Sequence, residues 1–202
     1  MSRLDVVELG WGDTCRAYDV VGLAQGSRAV TALASVGERT LAATPLGLFA
    51  TRDGGRTWTS IVSGTGHPAM AFERGEDPDL LYARSRGGLY RSRDGGAGWE
   101  LLGGGLPNAE ITALAVHPNG TTLYASEILR GGVHVSHDAG DSWSQLDADE
   151  LAASPIVDLA LDPSSPETLA AATANAGVLV TRLDSASQAV APAAAEMAKP
   201  QN

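Results

Sequence analysis

One octet dominates the chain and returns twice. Thr51-Arg52-Asp53-Gly54-Gly55-Arg56-Thr57-Trp58 is followed by Ser92-Arg93-Asp94-Gly95-Gly96-Ala97-Gly98-Trp99 and by Ser136-His137-Asp138-Ala139-Gly140-Asp141-Ser142-Trp143. The aspartates lie 41 and then 44 residues apart. That period fits one four-stranded blade of a propeller. Within the octet, Asp tolerates the left-handed region and accepts backbone N–H bonds in an Asx-turn. Gly55, Gly96 and Gly140 hold a position where a positive φ is expected. The leading Ser or Thr ties a second bond inside the loop. The Trp opens the next strand, where its ring covers a sheet edge or fills the gap between sheets, and its Nε1–H needs an acceptor if buried.

The intervals between octets repeat one four-part order. The first repeat reads Val30–Ala34, Thr40–Thr44, Gly47–Thr51 and Trp58–Val62. The second reads Pro68–Phe72, Asp79–Ala83, Gly88–Ser92 and Trp99–Leu102, and the third Ile111–Val116, Thr122–Ser126, Gly132–Ser136 and Trp143–Leu146. A fourth has three parts, Ile156–Leu161, Thr168–Ala172 and Gly177–Thr181. Its octet has decayed to Thr181-Arg182-Leu183-Asp184, and no outer strand follows. None of these segments reaches a stable helix length. The expected fold is all-β: a propeller-like array of about four four-stranded antiparallel blades, as a small closed ring or an open arc. Alternating residues such as Leu114/Val116 and Ala113/Ala115 are expected on opposite faces of a sheet, because a blade packs against neighbours on both sides. Residues 1–25 are read as N-terminal strands, a ring-closing segment or worn blade. Residues 26–185 form the repeat domain, and 186–202 a flexible Ala/Pro-rich tail.

The octets resemble the Asp-box, or BNR repeat, of pattern Ser/Thr-x-Asp-x-Gly-x-Thr/Ser-Trp. Thr51, Asp53, Gly55, Thr57 and Trp58 match in full, as do Ser136, Asp138, Gly140, Ser142 and Trp143. The second copy has Ser92, Asp94, Gly96 and Trp99 but Gly98 at the hydroxyl position. The resemblance implies a structural staple in the hairpin between the third and fourth strands of a blade, away from any active centre. Sialidases share the box, but their arginine triad, Tyr–Glu nucleophile and acidic catalyst have no counterparts that can be placed here. The chain also resembles bacterial proteins with BNR or YVTN-like propeller repeats, including a photosystem-assembly factor family whose propeller binds a client protein.

The remaining residues narrow the function. A net charge of -10, from 14 basic against 24 acidic residues, disfavours nucleic acid and anionic membranes as partners. The single cysteine, Cys15, excludes an intrachain disulfide. No apolar run reaches transmembrane length, and Met1–Asp5 lacks the apolar core of a signal peptide, so a cytoplasmic location is expected. One carboxylate per octet falls far short of the six to eight oxygens calcium takes, and His67, His117, His134 and His137 form no zinc-like set. No metal site and no cofactor are expected. Glycoside hydrolysis requires two facing carboxyl groups; Glu8, Asp13, Glu110, Asp158 and Asp162 are the acids to weigh, and Asp158 interrupts an apolar strand. No catalytic residue is assigned. Arg84, Arg86, Arg91 and Arg93, with Tyr82 and Tyr90, read as an exposed patch around the second hairpin. Of these, Arg84, Arg86, Tyr90 and Arg91 are the expected partner contacts, since Arg suits planar partners at interfaces. Gly103-Gly104-Gly105 lacks the Lys-Ser/Thr ending of a phosphate loop and reads as a blade linker. The function read here is a non-catalytic scaffold or recognition module for a protein partner. The alternatives are a glycoside hydrolase or glycan-binding propeller, and a subunit of an oligomer or larger assembly.

Overall fold

A computed structural model of the chain describes residues 30–44, 47–63, 69–85, 87–106, 110–127, 132–148, 151 and 155–183. The expectations for segments 1–25 and 186–202 and for Arg86 lie outside the described residues. Fifteen strands form four antiparallel sheets in which every hydrogen-bonded neighbour is also the neighbour in sequence. The first sheet holds β1 (Ala32–Val36), β2 (Arg39–Thr44), β3 (Gly47–Thr51) and β4 (Thr59–Ser63). The second holds β5 (Ala69–Arg74), β6 (Leu81–Ser85), β7 (Gly88–Ser92) and β8 (Glu100–Leu101). The third holds β9 (Ile111–Val116), β10 (Leu123–Glu127), β11 (His134–Ser136) and β12 (Ser144–Gln145). The fourth has, among the described residues, β13 (Ile156–Asp162), β14 (Ser165–Thr173) and β15 (Val178–Arg182).

The octets join the third and fourth strands of the first three sheets, as their turn chemistry requires. A second lock closes each hairpin between the second and third strands. The hydroxyls of Thr44, Ser85, Ser126 and Thr173 donate to the carbonyls of Gly47, Gly88, Gly132 and Gly177 at 3.2, 3.2, 2.9 and 2.8 Å. This lock survives in the fourth sheet, where the octet has decayed. It explains why that sheet keeps a clean register from Thr168↔Arg182 to Ala172↔Val178.

Side-chain alternation then builds the core between sheets. Leu114 packs with Leu80, Tyr82 and Leu89 of the second sheet, whereas Ala113 and Ala115 pack with Leu159, Leu169 and Ala171 of the fourth. Leu41 and Leu81 meet between the first and second sheets. Each fully buried leucine contributes roughly 1.5–3 kcal/mol, so stacking of sheets, more than any single turn, holds the array.

Of the two architectures expected, the described residues form the open arc. Its end sheets are unevenly exposed: on the first, Ala42 and Phe49, the cross-strand neighbours of Leu33, are buried at 1% and 5%. Leu33 of β1 is 64% exposed, and Val178 and Val180 of β15 are 68% and 64% exposed.

Candidate functional site

The three octets are self-contained hydrogen-bond locks. In the first, the Thr51 hydroxyl donates to Asp53 Oδ1 (2.7 Å) and accepts the backbone N–H of Gly55 (3.0 Å). Asp53 also accepts the backbone N–H of Thr57 (2.9 Å) and its hydroxyl (2.5 Å). The third octet repeats this with Ser136, Asp138 and Ser142: 2.8 Å from the Ser136 hydroxyl, 2.8 Å from the Ser142 N–H and 2.5 Å from its hydroxyl. In the second, Asp94 takes the Ser92 hydroxyl (2.8 Å) and the N–H groups of Ala97 (2.9 Å) and Gly98 (2.8 Å). Its second oxygen has no hydroxyl across from it, because residue 98 is glycine.

These bonds favour the ionised carboxylates. The Thr57 hydroxyl, followed by the Thr57 N–H, holds Asp53 far below the usual carboxylate range. The Gly98 N–H leads the same effect at Asp94. Burial pushes Asp138 up, but the Ser142 hydroxyl and N–H together with Ser136 leave it depressed. Carboxylates committed in this way are poor general acids or bases.

Two details add to the sequence reading, which Gly55 (φ 90), Gly96 (φ 83) and Gly140 (φ 93) bear out. Trp58, Trp99 and Trp143 fold back over their own loops, and their indole N–H groups donate to Gly55, Gly96 and Gly140 carbonyls at 3.0, 3.3 and 3.0 Å. The left-handed region is also entered one residue earlier than Gly55, Gly96 and Gly140, at Gly54 (φ 70), Gly95 (φ 64) and Ala139 (φ 60). The flat series of Gly-Gly, Gly-Gly, Ala-Gly was the signal for two such positions.

The expected exposed arginine patch is not formed. Arg91 is 4% exposed. Its guanidinium lies between the second sheet and the third octet, donating to Glu100 (2.8 Å), the Ala139 carbonyl (2.6 Å) and Asp141 (2.7 Å). Burial works against its charge, yet Asp141 and Glu100 raise its pKa above the usual arginine value. Arg93 joins from outside, 3.3 Å from Asp141. Tyr82 is buried, donates to the Gly120 carbonyl (2.8 Å), and burial pushes its pKa up to about 12. Arg84 donates to the Thr112 carbonyl of the next sheet, and Tyr90 packs with Ala43 and Leu48 of the previous one. These side chains serve sheet-to-sheet packing because the strand alternation points them into the interfaces.

Among the acids, Asp162 is held by the Ser164 hydroxyl (2.6 Å) and N–H (2.8 Å). Asp158 is exposed on β13 and accepts the Leu159 N–H at 3.0 Å. Glu8 and Asp13 lie outside the described residues. An acid missed in the sequence is Glu73 on β5. Burial raises its pKa, the nearby Arg84 opposes this, and Asp158 adds to it. Nothing local marks Glu73, since Asp158 reaches it from the fourth sheet. The Gly103–Gly105 run packs on the third octet, where Gly104 accepts the Trp143 N–H at 2.8 Å, in keeping with a linker between blades. Among the described residues, no three His, Cys, Asp or Glu side chains are placed to share a metal ion, and no helix is long and apolar enough to cross a membrane.

No protein-family model and no curated protein matches the chain. Solved structures match its fold. A GH74 enzyme from Niastella koreensis is 15% identical with a TM-score of 0.61, over 72% of this chain and 27% of that one. YCF48 from Cyanidioschyzon merolae is 13% identical with a TM-score of 0.58, over 79% of this chain and 52% of that one. The extracellular domain of the hybrid two-component system BT3049 from B. thetaiotaomicron is 14% identical with a TM-score of 0.61, over 76% and 23%. The chain spans about a quarter of the length of the GH74 enzymes it matches. The cytoplasmic location expected from the N-terminus does not stand beside these matches, which include extracellular domains. At such identities the likeness establishes the fold alone: an all-β, propeller-like array of four antiparallel blades, arranged as an open arc among the described residues.

Proposed function

We propose that this chain is a non-catalytic, Asp-box type propeller module that binds a protein partner. One observation carries the reading: the fourth sheet, at one end of the arc, exposes Val178 and Val180 on β15, with Val157 of β13 also exposed. Large exposed apolar side chains grouped on one sheet face mark a surface that another protein covers. Two further facts support it. The octet carboxylates are consumed by their own loops, as staples rather than reactants. A structure of similar fold is YCF48 bound to a D1 peptide. The module spans residues 26–185, flanked by 1–25 and 186–202.

The test is in-cell cross-linking from a photoreactive residue at position 176, beside β15, with and without Val178→Asp and Val180→Asp. Both valines are exposed, so the double variant keeps its unfolding midpoint. The same partner is expected with the parent chain and is absent with the double variant. Equal recovery from both would refute the reading.

A second reading, chemistry on a carbohydrate, is favoured by the raised pKa of Glu73 within electrostatic reach of Asp158. Glycosidases use a pair of carboxyl groups flanking the scissile bond. Turnover of aryl glycosides abolished by both Glu73→Gln and Asp158→Asn would establish it, and no turnover would dismiss it.

A further inference from the structure

The octets superimpose a simple rule on the interfaces between sheets. Aligning them places Ala50 where the second blade has Arg91, Thr59 where it has Glu100, and Ala97 where the third blade has Asp141. Between the second and third blades, Arg91 fills the outer gap and is tied to Glu100, Asp141 and the Ala139 carbonyl. Between the first and second blades the same gap has lost its plug. What remains is a cleft of about 460 Å³ whose walls include Ala50, Thr59, Gly96 and Ala97. That volume lies within the range of about 300–1,000 Å³ typical of small-ligand sites.

Two cations also line the cleft: Arg52, which aligns with Arg93 of the second blade, and Arg39, where that blade has Leu80. Neither makes a hydrogen bond or ion pair among the described residues. Asp53 lines it too, but its oxygens are taken by Thr51 and Thr57. Arg39 lies within electrostatic reach of Asp94, whose oxygen is likewise held by its own loop. Two arginines without an ion pair among the described residues therefore line a gap whose walls also carry Ala50, Gly96 and Ala97. Arg binds carboxylates through a planar fork of donors. The acidic charge of the whole chain does not abolish this, because screening confines its effect to about 8 Å at physiological salt.

From this vacancy we propose that the cleft between the first and second blades binds an acidic side chain of a peptide, with the carboxylate on Arg39 and Arg52 and the stem over Ala50 and Ala97. The proposal rests on the reading of the chain as a protein-binding module, and it names a contact distinct from the end faces of the arc.

The experiment follows arginine Nε–H signals of the full chain by NMR. The probes are acetyl-Gly-Glu-Gly-amide and acetyl-Gly-Gln-Gly-amide, with glucuronate and inorganic phosphate as further arms. The Glu peptide is expected to shift two arginine signals saturably, and the Gln peptide to shift none. Arg39→Gln and Arg52→Gln should each weaken binding about tenfold, the loss of one charge-assisted contact. The double variant Ala50→Arg/Ala97→Asp restores the plug seen one blade along and should abolish binding. Glu-peptide binding that persists in the plugged variant, or in Arg39→Gln/Arg52→Gln, overturns the proposal. So does a Gln peptide that binds equally, or glucuronate or phosphate binding tighter than the Glu peptide. Val178→Asp/Val180→Asp leaves this titration unchanged, so failure here and failure of the end-face reading are told apart.

Discussion

Gly98→Ser offers the sharpest test of the octets as locks. Boxes one and three place a hydroxyl 2.5 Å from the second oxygen of the box aspartate, and box two lacks it. A Cβ at residue 98 would stand 3.2 Å from Asp94 Oδ2, and Gly98 is absent from the positive-φ glycines. Serine there should reproduce the missing bond without backbone strain. A typical net hydrogen bond contributes about 0.5–1.5 kcal/mol, and the exposure of this loop puts the value toward the lower end through solvent screening. Replacing glycine at a compatible position contributes about 0.4–1 kcal/mol by restricting the unfolded chain. The sum is about 1–2 kcal/mol, or a rise in melting midpoint of roughly 2–8 °C from about 2–4 °C per kcal/mol at this size. Urea unfolding of the parent, Gly98→Ser and Gly98→Ala separates the two parts, since alanine supplies only the entropic one. Serine should exceed alanine at pH 7, and the difference should vanish once Asp94 is protonated. Equal stability of the two variants at pH 7 would refute the reasoning.

Further outcomes follow from the same contacts. Gly104→Ala should destabilise by about 3 kcal/mol or more, because its Cβ would meet the Asp141 carbonyl at 2.0 Å, whereas Gly103→Ala, with nothing within 4 Å, should stay within about 0.5 kcal/mol in urea titrations. Arg91→Ala should cost about 2–4 kcal/mol by emptying a buried gap, read from the denaturant midpoint, and a change under 0.5 would contradict its role as a plug. The box aspartates have folded pKa values below the unfolded value of about 3.9. Their contribution is complete above roughly pH 5 and is lost as pH falls through the folded values, so urea midpoints should drop between pH 5 and pH 3. Glu73 has the opposite sign: its raised pKa means that Glu73→Gln should stabilise at pH 7 and lose that advantage as pH falls.

Much of the fold was legible because the deciding bonds are local. Ser92 and Asp94 reach only two to four residues along the chain, so the identity of those residues suffices to place the turn, and turns at a fixed period place the blades. The strands of the third repeat were read to within a residue or two for the same reason. The hydroxyl–glycine locks of the inner hairpins are equally local, and Thr44 before Gly47, Ser85 before Gly88 and Thr173 before Gly177 could have been read directly. Trp99 and Trp143 do fill the gaps between sheets, as read, but the acceptor of each indole N–H, a carbonyl of its own loop, was not legible because only the packed ring orientation selects it.

By itself the sequence determined the number of repeated sheets, the position of their outer turns and the use of the box carboxylates as turn staples, since each depends on contacts within a few residues. The tertiary structure alone decided how the described sheets stack into an arc, that Arg91 is a buried plug rather than a surface contact, and that a cleft lies at the equivalent place beside Ala50. Arg91 meets Ala139 and Asp141 across 48 and 50 residues. Contacts of that span depend on how one sheet is rotated against the next, and that rotation is fixed by the packing of both faces at once.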